Sequence, residues 1–505
     1  MAFLGIDLGS SNCKAVVWSE EGKELSKTNI IYPPPLRPQD KMAEMPADIF
    51  FNAFVKVINA IAPAIRADIS ALAISSHGES YIALDTSGDP IGNFILNSDN
   101  RAVEESLLLE KELGREYLYS VCGVPPHQTF SLTKIFWHKR RGMYDNAARF
   151  LSVGDFMLYK LGFDFVTDFS SASRVMGFDI VKRQWADDIL KAAGVGKNEF
   201  PLPVEAGTEA GKLPLKSASI LGLKPGISIC VGGHDQPCGA LGMGILGTNE
   251  AMVSAGTYEC IAVSTETPCN NERAYKCHIN SYCHVVPEKF ITLAFFPGAM
   301  VIDWLVKEYF PLEIAEAKES DKSPYTLLDK KTEEINGPTG IYFTPHLIGS
   351  LNPDWDIRAK TVIAGLRPET TRYHLYKAAY EGIACELARN VEVLEEITGY
   401  LNMLRISGGW AKLDLSLSLI AALTKKPVMK MESEESVCLG AAILAGIGSG
   451  AFKDYKEATG YMLRPGEIIK PDLQLGKEYE KQQACYNSLL PLLSKFWSIC
   501  NSETL

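Results

Sequence analysis

Two aspartates follow short apolar segments, and both have glycines beside them. Asp7 comes after FLGI, two positions before Gly9, and Asp235 comes after GISICVGGH. Acidic residues at the end of a buried strand are typical of catalytic sites in α/β proteins, because nearby glycines let a ligand approach. A carboxylate at the position of Asp7 suits Mg²⁺. The structural alternatives are a turn cap at Asp7 and a helix N-cap at Asp235.

A weak internal repeat relates two hairpin-like segments that lie 247 positions apart, FLGIDLGSSNCKAVVW and EAMVSAGTYECIAVS. Gly9 aligns with Gly256, and Ser10 aligns with Thr257. A glycine followed by a hydroxyl residue lets backbone N–H groups and the hydroxyl converge on an anion. Two facing copies would therefore hold a polyphosphate from both sides.

Other phosphate-binding signatures are missing from the sequence. It contains no Walker A loop, and its one GxGxxG pattern falls at Gly242, Gly244 and Gly247. A dinucleotide fingerprint follows a strand and opens a helix, whereas this pattern follows a helical segment and precedes a strand. These glycines are interpreted as a helix end and a turn.

Apolar runs rich in β-branched residues alternate with longer stretches of helical periodicity, which indicates α/β layers around a largely buried sheet. Strands in hairpin succession are predicted over 2–9, 14–19 and 24–32, and a helix over 50–65. A long helix is predicted after Thr371. Its core-facing positions recur every four residues, at Leu375, Ala379, Ile383 and Leu387.

Charge and hydropathy exclude several classes of partner. Fifty Lys+Arg against 61 Asp+Glu give the 505 residues a formal net charge of −11, so no global basic field attracts nucleic acid or anionic lipid. The start carries no cationic segment, and no run reaches the roughly 18 apolar residues of a membrane span. The sequence therefore predicts a cytoplasmic protein without nucleic-acid or membrane partners.

Twelve cysteines are scattered along the chain without a CxxC pair, which favours reduced, mostly buried thiols over a disulfide framework. The densest cluster contains Cys277, His278, Cys283 and His284. Its spacing matches no zinc signature, and the alternation in CHINSYCHVV suits a strand with buried thiols. Metal binding is the alternative for this cluster.

The two hairpin segments and GGHDQPCGALGMG around Asp235 resemble the phosphate motifs and catalytic segment of the FGGY carbohydrate kinases, the family of glycerol kinase, xylulokinase, ribulokinase and fuculokinase. PHLIGSLNPDWDIRAKTVIAGL is similar to the family's segment rich in Pro, Trp and Asp. LRISGGWAKLDLSLSLIAALTKKPV and VCLGAAILAGIGSGAF resemble its adenosine motif and closing helix. The resemblance runs from Gly5 to about Phe452. It implies an α/β fold of two actin-like, ribonuclease H-like lobes with mixed sheets, over 1–246 and 247–505, around a central ATP cleft.

The same resemblance implies roles for individual residues. Asp235 is the general base toward a sugar hydroxyl, and Asp7 and Asp235 face a shared magnesium–nucleotide crevice. Lys14 offsets developing phosphate charge or is an exposed strand cation. Trp410 and Lys412 depart from the family's small polar residues, and Trp410 packs either on adenine or in the core. The residues implied to hold the nucleotide are Gly9, Ser10, Ser11, Gly256, Thr257, Gly298, Gly408 and Gly409.

The implied sugar site combines features of two relatives. Its members are His77, Gly78, Glu79, Asp99, Arg101 and Gln236. His77 and Gly78 agree with xylulokinase, whereas Glu79 and Gln236 agree with glycerol kinase. The structural alternatives are a core histidine at His77 and a loop cap at Asp99.

The resemblance implies an ATP- and Mg²⁺-dependent kinase for a ketose or polyol, with a pentulose such as xylulose as first choice. Asn97 and Thr129 stand near the positions of the aromatic residues that wall the glycerol pocket, which implies a substrate larger than glycerol. Sugar binding would draw the lobes together and expel water. The rival functions are an actin-like ATPase of chaperone or polymer type and a non-catalytic sugar sensor. Homodimerisation is left open.

Overall fold

Two mixed β-sheets frame the molecule in the computed structural model, which describes residues 1–409 and 414–500. Within these residues the first sheet contains six strands: β1 (Ala2–Leu8), β2 (Asn12–Ser19), β3 (Glu24–Ile31), β4 (Ile69–Ser76), β5 (Glu209–Lys212) and β6 (Ser228–His234). The second contains seven: β7 (Glu250–Ala255), β8 (Tyr258–Thr265), β9 (Asn280–Cys283), β10 (Phe290–Pro297), β11 (Met403–Gly408), β12 (Val428–Lys430) and β13 (Ile468–Ile469).

The two sheets repeat one topology. The first has the order β3-β2-β1-β4-β6-β5, and the second has the order β9-β10-β8-β7-β11-β12-β13. In both sheets the two strands of the central hairpin, β1-β2 and β7-β8, are antiparallel. The next two strands, β4 and β6 in the first sheet and β11 and β12 in the second, run parallel to β1 and β7. The strand after them, β5 or β13, is antiparallel to its neighbour. The predicted repeat is thus visible as two equivalent hairpins, β1-β2 and β7-β8. Only β9 has no counterpart in the first sheet as described. We call the units built on the two sheets the first and second lobes.

Helices cover the faces of both sheets. Those of the described chain are α1 (Ala47–Asn59), α2 (Pro63–Arg66), α3 (Val103–Leu113), α4 (Arg115–Cys122), α5 (Ser131–Lys139), α6 (Val153–Leu161), α7 (Phe169–Ser173), α8 (Asp187–Ala192), α9 (Leu215–Leu221), α10 (Asp235–Gly242), α11 (Glu272–Lys276), α12 (Ala299–Tyr309), α13 (Pro311–Ser320), α14 (Pro324–Thr332), α15 (Arg372–Thr398), α16 (Asp414–Thr424), α17 (Ser436–Gly448), α18 (Tyr455–Met462) and α19 (Leu473–Cys500). Among them, none combines the length and the apolar character needed to cross a bilayer.

Short two-stranded ladders and a 3₁₀ turn add to the regular structure of the described residues. The turn is Lys197–Glu199, and the ladders pair Glu44–Met45 with Phe94–Ile95, Ile82–Leu84 with Arg149–Leu151, Val166–Asp168 with Leu202–Val204, Phe178–Asp179 with Gln184–Trp185, and Tyr342–Phe343 with Ile363–Ala364.

Helices α10 and α17 cross where the two lobes meet. Each follows the last parallel strand of its sheet, and α17 returns to pack on β1, β4 and β6 of the first sheet. The crossing is close because both helices present glycine: a Cβ at Gly440 would lie 1.9 Å from the Cys238 carbonyl oxygen, and one at Gly242 would lie 1.9 Å from that of Ser436. The predicted division at 246 and 247 falls between α10 and β7. The second segment nevertheless contributes α17 to the core of the first lobe.

The local predictions can be compared with these elements. Strands β1 to β3 confirm the hairpin succession, and α1 with α2 replaces the single helix predicted over 50–65. The break precedes Pro63, because proline lacks the N–H that a continuous helix needs. Helix α15 begins after Thr371 as predicted. Its stripe is buried at Ala379, Ile383 and Leu387 and half-buried at Leu375.

The cysteine–histidine cluster is divided between a helix and a strand. Helix α11 ends just before Cys277, and β9 covers only four residues of the strand predicted there. Both Cys277 and Cys283 are buried, and the Cys283 thiol faces the carbonyl of Ile180. The ring nitrogens of His284 contact backbone groups. These contacts agree with the interpretation of buried, structural side chains.

Candidate active site

The carboxyl ends of three parallel strands bring Asp7 and Asp235 to one edge of the first sheet. Strand β4 lies between β1 and β6, with Ser76 paired to Leu8 on one side and to His234 on the other. Asp7 precedes Leu8, and Asp235 follows His234 and opens α10. Adjacent strands are about 4.8 Å apart, so the backbones of β1 and β6 are separated by only about 10 Å at this edge. This is where α/β sheets accommodate ligands.

The electrostatics of the two carboxyl groups show that they share one environment. Burial raises the pKa of Asp235 to about 8, and the negative charges of Asp7 and Glu79 add to this shift. Burial also raises the pKa of Asp7 to about 7, although Lys14 opposes the shift. Like charges this close disfavour ionisation of both groups unless a cation joins them.

Buried oxygen atoms at this edge have the chemistry of a magnesium site. Within the described residues, Asp7 Oδ1, Asp235 Oδ1 and Gln236 Oε1 are buried without a hydrogen-bond partner. His234 Nε2 is 3.2 Å from Asp235 Oδ1 but does not hydrogen-bond to it. Unsatisfied carboxylate oxygens are costly in a folded protein and are hard ligands that Mg²⁺ prefers. Asp7 and Asp235 thus fit the predicted ion.

The second hairpin forms the wall of a separate cavity of about 480 Å³. Gly256 and Thr257 line it together with Gly409. A Cβ at Gly409 would meet open space, whereas Gly408 has φ +121° and a Cβ there would lie 2.3 Å from the Ala255 carbonyl oxygen. The volume falls in the range of small-ligand and cofactor sites. Its size and glycine-lined wall fit the predicted nucleoside.

Other predicted nucleotide residues lie close to these hairpins. The backbone N–H of Gly298 donates to the Thr257 carbonyl at 3.2 Å. A Cβ at Gly298 would lie 2.0 Å from Glu259 Oε1, so glycine is required by close packing there. Ser10 and Ser11 are exposed at the tip of the β1-β2 turn, next to the half-buried Gly9. Trp410 and Lys412 lie outside the described residues.

Lys14 does not stand alone on its strand. Its ammonium donates to Glu435 Oε2 at 2.9 Å, and Lys27 contacts the other oxygen of the same carboxylate at 2.5 Å. Glu435 precedes α17, so this ion pair joins the first hairpin to the second half of the chain. Lys14 also faces Asp7 across the β1-β2 ladder. The positive charge of Lys14 therefore acts on two carboxylates, Glu435 and Asp7.

The second hairpin also approaches the carboxylates of the first lobe. Helix α10, which begins at Asp235, packs against β7 and β8. Burial raises the pKa of Cys260, which lies on β8 three residues after Thr257, and the negative charge of Asp235 adds to this shift. Cleft carboxylates and second-lobe hairpin therefore lie within electrostatic reach of each other across the junction.

Three predicted sugar residues are engaged in internal contacts. Both ring nitrogens of the buried His77 are used, by the Leu8 carbonyl at 2.9 Å and Ser80 Oγ at 2.8 Å. Asp99 accepts from the backbone N–H of Ala43 and from three nitrogen atoms of Arg101. The Arg101 side chain is 3% exposed, and its guanidinium also binds Glu44. In this structure the side chains of His77, Asp99 and Arg101 bind to other protein groups and support the loops around the site. For His77 this agrees with the core alternative.

Glu79, Gly78 and Gln236 lie beside His234 and Asp235. A Cβ at Gly78 would lie 2.8 Å from His234 Cδ2, so only glycine allows the loop to pass this ring. The Glu79 side chain is 10% exposed and binds Arg174, with Nε donating to Oε1 at 2.6 Å. The Gln236 side-chain oxygen has no hydrogen-bond partner among the described residues, and together with the Glu79 carboxylate it offers acceptors for hydroxyl groups.

Family models match nearly the whole chain. The N-terminal domain of the FGGY family of carbohydrate kinases matches residues 2–242, and its C-terminal domain matches residues 251–449. The chain belongs to this family. The units built on its two equivalent sheets are the two lobes of the actin-like fold.

Relatives of this FGGY kinase carry more than one substrate name. It is 26% identical over 492 residues to a xylulose kinase of Bacillus subtilis, covering 96% of each chain. It is also 26% identical over 499 residues to a gluconokinase of the same organism, covering 97% of this chain and 96% of the other. A ligand-bound xylulose kinase structure from Lactobacillus acidophilus superposes with a TM-score of 0.87 at 21% identity, covering 98% of each chain. That last likeness concerns the fold.

Sequence reasoning missed two groups in this FGGY kinase. Arg174 lies 95 positions from its partner Glu79 and belongs to no recognisable motif. Asp303 and Tyr325, joined by a hydrogen bond of 2.6 Å, line the cavity beside Gly256. Helical periodicity marks Asp303 only as a polar position on α12. No local signal indicates which cavity these side chains reach.

A substitution at Gly408 tests the nucleotide cavity. Gly408→Ala places a methyl against the Ala255 carbonyl in a left-handed backbone, so β7 and β11 must shift at the cavity wall. We expect KM for ATP to rise by about 10-fold or more, because small displacements of binding groups are expensive. KM for the sugar should stay nearly unchanged in steady-state kinetics.

Gly247→Ala is the matched control, because a Cβ there meets no atom within 4 Å. An unchanged KM for ATP in Gly408→Ala, or an equal rise for sugar and ATP, would contradict the assignment of the cavity.

Proposed function

We propose that this FGGY kinase transfers a phosphoryl group from ATP to a hydroxyl of a neutral ketose or polyol, with a pentulose such as xylulose as first choice. The observation that carries the proposal is the Asp235 carboxylate. It lies at the strand edge beside Asp7, with one buried oxygen unpartnered among the described residues and 24% of its side chain exposed.

Asp235 is the proposed general base. Its carboxylate accepts the proton of the attacking hydroxyl, which leaves the sugar oxygen free to bond to phosphorus as the ADP oxygen departs. Burial and neighbouring charge raise the pKa of Asp235, so the ionised form is a stronger proton acceptor than an ordinary carboxylate. Bound ATP supplies the phosphoryl group, and Mg²⁺ compensates its charge.

Residues of both lobes are proposed to hold the nucleotide. Asp7, with Asp235, orients the magnesium ion. Lys14 contributes positive charge between Asp7 and Glu435. The proposed phosphate and adenosine contacts are Gly9, Ser10, Ser11, Gly256, Thr257, Gly298, Gly408 and Gly409. The boundary between the domains is proposed at 246 and 247.

The charge of the sugar site supports a neutral substrate. Asp7, Glu79 and Asp235 are acidic, and the guanidinium of Arg174 is already paired with Glu79. An aldonate would place its carboxylate among these acids, whereas a ketose offers hydroxyl groups to Glu79 and Gln236. Like-charge contacts cost several kcal/mol, so kcat/KM for the pentulose should exceed that for gluconate by about 100-fold or more.

The test is ADP release measured over a panel of ketoses, alditols and aldonates. We expect release to depend on a ketose or polyol and to remain low with gluconate. Release that is the same with every sugar and without sugar would indicate an actin-like ATPase. No turnover, together with thermal stabilisation by a sugar, would indicate a sensor. Preference for gluconate would refute the charge argument and leave the kinase assignment intact.

A further inference from the structure

Strand β9 is the one strand of the described second sheet without a counterpart in the first, and it reaches the sugar site. It pairs with β10 along one edge only. Alternation along a strand places Asn280 and Tyr282 on one face. Both are buried, and both contact side chains of the first lobe. An additional strand at this place joins the lobes directly beside Glu79 and Asp235.

Arg174 is the side chain that Asn280 and Tyr282 hold. Its Nη1 donates to Asn280 Oδ1 at 3.4 Å, and its Nε donates to Glu79 Oε1 at 2.6 Å. The guanidinium carbon lies 4.8 Å from the centre of the Tyr282 ring and 5.2 Å from that of Phe130. A planar cation packed against two rings has few alternative rotamers, and its fork fixes the direction of the carboxylate that it binds.

Glu79 is constrained at its backbone as well as at its side chain. Its φ of +62° is in the left-handed region, which a residue other than glycine occupies only when its surroundings enforce it. The Glu79 carbonyl accepts from Ser131 Oγ at 2.9 Å and from the buried Lys134 ammonium at 3.0 Å. Helix α5 thus holds the backbone, and Arg174 holds the carboxylate. Such constraint is typical of ligand-binding positions.

Tyr282 makes a second contact that leads to the proposed base. Its hydroxyl is 3.1 Å from His234 Nδ1, and His234 directly precedes Asp235. One edge strand therefore touches both functional carboxylates of the first lobe through an intermediary: Glu79 through Arg174, and Asp235 through His234.

We propose that β9 completes the sugar site from the second lobe, with Arg174 as the positioning residue that holds Glu79 toward the sugar and Tyr282 as the positioning residue of His234. The inference rests on the proposed function, because it requires Glu79 to meet a sugar hydroxyl. It makes sugar affinity depend on contact between the lobes beside the site.

The test separates sugar affinity from turnover in the full-length enzyme. Arg174→Lys keeps the charge but loses the fork and the stacking surface. We expect KM for the sugar to rise by about 10-fold or more while KM for ATP and kcat change by less than about 3-fold, since an exchange between the two cations at such a site is not conservative. Tyr282→Phe keeps the ring against Arg174 and removes the hydroxyl from His234. It should lower kcat and leave KM for the sugar nearly unchanged.

Arg183→Lys is the matched control, because Arg183 also stacks on a phenylalanine and pairs with a glutamate. Its partners are Phe169 and Glu205, which are not members of the proposed sugar site. Its kinetic constants should equal those of the wild type. If Arg174→Lys unfolds, Arg174→Gln replaces it as the test of the sugar KM, and Tyr282→Phe remains the separate test of kcat, each after its melting temperature is measured.

The failures of the two proposals are distinguishable. A wild-type enzyme without sugar-dependent ADP release would refute the proposed function. If the wild-type enzyme turns over, two results for Arg174→Lys would refute only the role of β9. One is a sugar KM within about 2-fold of the wild type, and the other is a joint rise of the KM values for sugar and ATP.

Discussion

Replacing Asp235 by asparagine should lower kcat by a factor of about 10²–10⁴, the usual contribution of a positioned general base. The amide is nearly isosteric with the carboxylate but cannot accept the hydroxyl proton. ATP binding should be largely retained, because the glycine hairpins and the 480 Å³ cavity are untouched. Steady-state kinetics and nucleotide titration by calorimetry measure the two effects separately. Turnover within a few-fold of the wild type would refute the role of Asp235.

The same substitution should raise stability when nucleotide and magnesium are absent. The folded-state pKa of Asp235 is about 8 against an ordinary value of 3.8, so the folded protein binds the proton more tightly than the unfolded chain does. Its contribution to stability is therefore present below pH 3.8 and is lost as the pH rises toward 8. Removing the carboxyl group removes this loss, so the melting temperature of Asp235→Asn should exceed that of the wild type most at pH 8.

Asp454→Asn is the control for charge removal, because Asp454 caps α18 at the surface and asparagine caps equally well. Its kinetics and its dependence of melting temperature on pH should match those of the wild type. A wild-type melting temperature that stays constant between pH 5 and 8, with no gain for Asp235→Asn, would contradict the described electrostatics.

Replacing Gly440 by alanine should destabilise the protein by about 3 kcal/mol or more, at the upper end of the cost of overpacking a core. The added Cβ would lie 1.9 Å from the carbonyl oxygen of Cys238 and 2.7 Å from its carbonyl carbon. Both atoms belong to the backbone of α10, so the helices must separate where the lobes join. Denaturant unfolding and sugar-dependent turnover should both show the loss.

Gly460→Ala is the matched control, because Gly460 also lies in a helix but a Cβ there meets no atom within 4 Å. It should be neutral or stabilise by up to about 1 kcal/mol, since alanine favours helix over glycine. Equal stability of Gly440→Ala and the wild type would show that the crossing of α10 and α17 is looser than described.

The sequence predicted the symmetric part of the fold well, for a physical reason. Hairpins that carry glycine and a hydroxyl residue at their turns share a local pattern, and the weak repeat that aligns Gly9 with Gly256 marked both. The family resemblance implied a closing helix at α17, but a helix that is apolar on all sides gives no information about its partner. Only the structure shows that it packs on the first sheet at Gly5 and on helix α10 at Gly242.

The candidate site was predicted less completely than the fold. Asp7 and Asp235 were identifiable because strand ends have a recognisable context. For His77 and Asp99 the sequence left the ligand role and the structural alternative equally open, since a polar residue near a site has the same sequence pattern whether it faces the ligand or supports it. Arg174 was missed because its position depends on the packing of α7 against β9, two segments that lie far apart along the chain.

The measurement that tests the central claim most directly is ³¹P NMR of the products formed from ATP and a pentulose. The account predicts a phosphate monoester of the sugar in amounts equal to ADP with the wild type, and its loss with Asp235→Asn. Inorganic phosphate as the only product beside ADP, unchanged by the sugar, would contradict the transfer of phosphate to a sugar hydroxyl.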